Sequence, residues 1–142
     1  MKNTIVAFIL AVCIVGSAIF LMEKALTPRN LAAADPRKDF EEFVCTPVPK
    51  GVSDFHSSGV VAFAGGDVRI DFRFEAESVD RILEHGGFRP YKSGDPGWIS
   101  DFEPPAFSGS LLRYVRADPG TSHEALFLSV DTGRAWYREM QF

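Results

Sequence analysis

Residues 68–75, "VRIDFRFE", alternate apolar and charged side chains without a break. Val68, Ile70, Phe72 and Phe74 fall on one side, and Arg69, Asp71, Arg73 and Glu75 on the other. A period of two is the repeat of a β-strand, and this one places one face in a core and the other in water. The apolar run before it is joined to it around Gly65-Gly66, a pair that suits a tight hairpin turn. Signs also alternate along the wet face, which predicts a solvated surface laced with cross-strand ion pairs. A charged ligand platform is the sharper alternative for the same residues.

Downstream, "SVDRILEHGGF" reads as a short helix. Ser78 is placed to cap it, Asp80 suits its first turn, and Gly86 or Gly87 ends it. Val79, Ile82 and Leu83 make its inward stripe, and His85 sits in the last turn, where the helix dipole favours a cation. The C-terminal third reads as a three-stranded meander, "SLLRYVRA", "HEALFLSV" and "RAWYREMQF", with turns at Pro119-Gly120 and Thr132-Gly133. The order of elements predicts an α+β fold: a small antiparallel sheet, made of a hairpin and a meander, with one helix packed on a face.

Between helix and meander, residues 89–109 hold Pro90, Pro96, Pro104, Pro105 and several glycines. A connection of that length is either functional or packed on itself. It mixes aromatic and charged groups, so Arg89, Tyr91, Trp98 and Asp101 are the expected ligand- or partner-binding residues. The competing expectation is that Trp98, Phe102 and Phe107 pin the loop to the domain.

The N-terminus is of another kind. From Thr4 to Met22 there are 19 residues without a charge, long enough to cross a bilayer as a helix and longer than most secretory signals. Residues 1–22 are therefore expected to be an uncleaved transmembrane anchor, 23–44 a linker carrying a short helix capped by Asp35 with Pro36 at its first position, and 45–142 the globular domain. Cleavage near Ala34, giving a secreted protein, and lipidation at Cys13 are the alternatives. Lys2 favours an exported, extracytoplasmic domain on a plasma or inner membrane, whereas Lys24, Arg29, Arg37 and Lys38 weigh the other way.

Charge narrows the partners. Residues 35–142 carry 12 Lys+Arg against 18 Asp+Glu, a net charge of −6. Nucleic-acid binding needs clustered cations, so no nucleic-acid partner is expected. The membrane, through residues 4–22, and an envelope protein are the expected partners. Cys45 has no second cysteine in the soluble part and reads as a buried, inert thiol. His56, His85 and His123 lack ligand spacing, so no metal is expected, and no motif calls for a cofactor. No catalytic signature is present either. Asp101 or Glu103 acting with His56 or His123 is the only acid–base arrangement that suggests itself.

The segments "TPVPKGVSDF", "VRIDFRFEAE", "SVDRILEHGGF" and "SVDTGRAWYRE" together resemble small, uncharacterised envelope-tethered bacterial domains over about residues 45–140. The resemblance implies an exported α+β domain and brings no active site with it. The leading expectation is a membrane-tethered extracytoplasmic binding or accessory domain. A small envelope hydrolase using the loop carboxylates and an immunity or inhibitor protein with an acidic binding surface are the alternatives.

Overall fold

A computed structural model describes residues 13–19, 22, 26–62, 65–104, 109–116 and 122–142. Seven strands form one antiparallel sheet: β1 (Arg29–Asn30), β2 (Val52–Ala62), β3 (Gly65–Phe74), β4 (Phe88–Pro90), β5 (Leu111–Arg116), β6 (Ser122–Ser129) and β7 (Arg134–Gln141). Their spatial order is β1-β2-β3-β7-β6-β5-β4. The strands of the expected hairpin and meander are both present, and the pairing of β3 with β7 joins them into one sheet; the turn expected at Pro119-Gly120 lies outside the described residues. Ala62 pairs with Gly65, so the glycine pair opens β3 rather than forming the turn.

Two helices, α1 (Pro36–Phe43) and α2 (Val79–Gly86), cover one face, where a single helix was expected. Beneath them lie Val68, Ile70, Phe72 and Phe74 of β3, Leu126 and Leu128 of β6, and Ala135 and Tyr137 of β7. Among the described residues the other face is covered only over β5–β7. There the 3-10 segment Gly97–Phe102 lays Ile99 and Phe102 on Val115, Ala125 and Phe127. This explains why "EALFLS" in β6 does not alternate: all six residues are buried, because both faces are covered. In β3 only one face is covered, and the period of two survives.

Both helix ends follow from their sequences. The Asp35 carboxylate accepts from Arg37 N–H at 3.1 Å, and Pro36 opens α1. Gly87 closes α2 at φ +66°, a conformation that glycine adopts without strain. Ser78 precedes α2 as expected but does not cap it with its side chain; its hydroxyl donates instead to Glu75 O at 2.7 Å, closing a 3-10 turn over Ala76–Ser78.

The segment read as a linker does more than connect. Arg29–Asn30 adds a strand to the sheet edge, pairing with Val60 and Val61. Leu31 and Phe40 are fully buried, and Phe40 packs against Phe55 and Phe72. Buried Asp39 accepts from Ser57 Oγ at 2.6 Å and faces Arg29 at 3.6 Å. Most of the expected anchor, residues 4–22, lies outside the described residues. Residues 13–19 are helical, and among the described residues no helix is long and apolar enough to cross a membrane.

One arginine ties the helical layer to the sheet. Arg116 of β5 donates through Nε to Glu124 Oε2 at 2.5 Å, through Nη2 to Phe43 O at 2.6 Å, and through Nη1 to Gly86 O. Those carbonyls are the last of α1 and of α2, acceptors that a helix leaves without an internal partner. The guanidinium also lies over the Phe88 ring, 4.5 Å from its centroid. Beside it the Tyr137 hydroxyl sits 3.0 Å from Glu124 and 2.8 Å from Glu139, both buried carboxylates. Burial first, and then Glu124 and Glu139, push that hydroxyl well above the ordinary tyrosine range.

Candidate functional site

The four residues expected to bind fall in one region, and each makes contacts that hold this part of the chain. Arg89 makes a two-pronged ion pair with Asp95, both contacts at 2.8 Å, and Asp95 also accepts from Lys92 N–H at 2.7 Å. The Arg89 hydrogen bond, followed by that of the Lys92 amide, draws the Asp95 carboxyl down to about 2. Arg89 is thus a staple inside its own loop. Tyr91 is half-buried against the second core, and its N–H donates to Arg113 O at 2.9 Å. Trp98 stacks flat on His123 at 4.5 Å and meets Phe102 at 4.9 Å, while the edge of Phe142 closes on His123 at 4.6 Å. Asp101 is held through its main chain, whose carbonyl accepts from Arg138 at 3.0 Å; the same guanidinium lies over Phe102.

Trp98 and Asp101 therefore share one turn, with Arg138 and His123 beside them. Trp98 and Phe102 pack this part of the loop onto the sheet, while Phe107, the third aromatic of the competing expectation, lies outside the described residues. The acid–base arrangement gains no geometry from this region. Glu103 pairs with Arg113 at 2.6 Å, and His123 is held between Trp98 and Phe142.

A second region lies on the outer face of β2 and β3 and the first residue of β7, beside the second core. The register of β2 on β3 runs from Ser53↔Arg73 to His56↔Asp71, so Asp54 and Phe55 together oppose Phe72 alone. This is a β-bulge, a device found next to binding and active sites because it redirects a side chain. Asp54 has φ +51°, and among the described residues it is the one non-glycine residue with positive φ. Its carboxylate turns to Arg73, 3.2 Å away, while Phe55 packs on Phe40 under the helices.

Arg73 and Arg134 are directly opposite across β3 and β7. Like charges so placed repel, and the neighbouring carboxylates offset that repulsion: Asp54 on Arg73, and Asp71 on Arg134 at 3.6 Å. These contacts are ionic only. Neither guanidinium makes a hydrogen bond among the described residues, in contrast to Arg69, Arg89, Arg113, Arg116 and Arg138. The two arginines, with Asp54, His56 and Asp71, line a depression of about 240 Å³. A neighbouring one of about 450 Å³ extends it past Ser53, Glu75 and Thr132, with Arg73 common to both. Neither is lined by Asp101 or Glu103.

The bulge left a trace in the sequence. Val52 and Phe55 both pack against the helix-side core, yet differ in parity, and an uninterrupted strand would send them to opposite faces. The pairing of β3 with β7, which brings Arg134 to Arg73, left no such trace. Among the described residues no group of three or more His, Cys, Asp or Glu is placed to hold a metal ion. Compared with known proteins, the chain matches no protein-family model, and no curated protein or solved structure is significantly similar to it.

Proposed function

We propose that this chain is a single-pass, membrane-tethered binding domain that faces the extracytoplasmic side of a plasma or inner membrane. The tether is residues 4–22, and the binding surface is the outer face of the β2 bulge. One observation carries the uncleaved reading over release near Ala34. Cleavage there would remove β1, the fully buried Leu31 and the Arg29 contacts to Asp39 and Glu42. Leu31 alone is worth about 2–5 kcal/mol as a core side chain. A domain built around residues that processing discards would be a poor design, so the chain fits retention of its N-terminus.

The bulge supports binding because it combines an unusual backbone with two arginines whose N–H groups have spare capacity. Nothing in the geometry favours hydrolysis by Asp101 or Glu103. An acidic inhibitor surface finds little support either, since many of the carboxylates are interleaved with arginines in ion pairs.

Fractionation of cells expressing the full chain tests the proposal. The expected result is membrane association, an intact N-terminus, and digestion of the domain only by protease on the extracytoplasmic side. A soluble product beginning at Asp35, or a domain cut only from the cytoplasmic side, would overturn it.

A further inference from the structure

We infer that the ligand of the bulge surface presents a carboxylate, and that Arg73 and Arg134 bind it together; this rests on the binding reading above. Each guanidinium is held by one carboxylate through an ionic contact, and neither donates a hydrogen bond among the described residues. A guanidinium carries five N–H donors in a planar fork, so both retain donors for an incoming oxyanion. Their strand positions are directly opposed, which brings two cations to one depression of about 240 Å³, room for a small acid group and its immediate neighbours.

The charge of the surroundings selects among oxyanions. Asp54 and Asp71 already line the depression, and His56 stands beside them. A phosphate dianion gains more from the arginines but also meets both carboxylates with twice the charge, whereas a carboxylate replaces Asp54 charge for charge. A planar monoanion matches the fork and meets less repulsion. Asp54 is the competitor to be displaced: its side chain is 62% exposed, against 23% for Asp71. Displacement moves only a surface ion pair, which costs little. The bulge has a clear role here. It adds Asp54 over Arg73 as a movable counter-ion that offsets the repulsion between the two arginines until a ligand carboxylate takes its place.

The test is a titration of the full chain in detergent micelles, followed through the arginine side-chain NMR signals. N-acetylglycine serves as a peptide-like carboxylate, glucuronate as a sugar acid, and inorganic phosphate as the competing oxyanion. Saturable shifts of Arg73 and Arg134 with either carboxylate are expected, together with at least a tenfold loss of affinity in R73Q/R134Q. The stronger of the two carboxylates distinguishes a peptide source from a sugar source. R81Q, an exposed arginine on α2, should bind as the wild type does. D54N should bind about two- to fivefold more tightly, the value of an exposed ion pair, and asparagine tolerates the positive φ at that position. Absence of saturable binding, tighter binding of phosphate than of both carboxylates, binding unchanged in R73Q/R134Q, or weaker binding by D54N would each overturn the inference. A chain that passes the fractionation test but fails this titration loses the ligand assignment and keeps its tethered location.

Discussion

Arg116 and the Arg73–Arg134 pair show two uses of the same side chain. Arg116 is largely buried, and its Nε and both terminal nitrogens are committed: to Glu124 and to the last carbonyls of both helices. Arg73 and Arg134 are more than half exposed and, among the described residues, have ionic contacts without hydrogen bonds. A buried cation with all its partners is part of the fold, and removing it leaves charges and carbonyls stranded. An exposed cation with spare donors adds little to the fold and remains open to a ligand.

The sharpest way to break this comparison is Arg116→Met. Methionine keeps much of the stem's packing but removes the cation paired with buried Glu124 and orphans Phe43 O and Gly86 O. The expected loss is about 3–5 kcal/mol in denaturant unfolding, by analogy with broken buried pairs. If instead R116M unfolds like the wild type, the helix-tying role is wrong. Next comes Tyr137→Phe, which withdraws the hydroxyl that lies between Glu124 and Glu139. A loss of about 1–3 kcal/mol is expected from stranding buried acceptors.

Alkaline pH probes the same layer without mutation. Burial pushes the Cys45 thiol from its ordinary 9.0 up to about 11, with Arg116 pulling weakly the other way, and Tyr137 is raised as well. The native state therefore keeps protons that the unfolded chain gives up. That contribution is fully present below about pH 9 and is lost as pH rises toward 11, for Cys45 by about 2 kcal/mol. Unfolding curves that do not weaken between pH 9 and 11 would count against it. Arg89→Ala should have a smaller effect on global unfolding, because its ion pair with Asp95 staples a solvent-exposed loop. Its signature should be faster proteolysis within residues 92–97 rather than lower global stability.

The sequence exposed these features unevenly. Local periodicity made β3 legible, and turn and cap chemistry made α1, α2 and the meander legible, because each signal lies within a few residues. The second core was hidden, because the continuous apolar run of β6 needs a cover that only the 3-10 segment Gly97–Phe102 reveals. The edge strand at Arg29–Asn30 was hidden for a related reason: two residues carry no period, and their strand character comes from Val60 and Val61. The bulge surface depends on the pairing of β3 with β7, a contact 61 positions apart in the chain between Arg73 and Arg134. An aromatic in a loop resembles a contact residue whether or not it packs, so the stack of Trp98 on His123 was not legible from the loop alone.

The most direct measurement is the thermal unfolding midpoint of the R73A/R134A double variant beside that of R116M. The account predicts a double variant within about 0.5 kcal/mol of the wild type, since each substitution removes one exposed ionic contact and the facing repulsion goes with them. A loss approaching that of R116M would show that the paired arginines hold the sheet together, and would contradict the division between structural and ligand-binding cations.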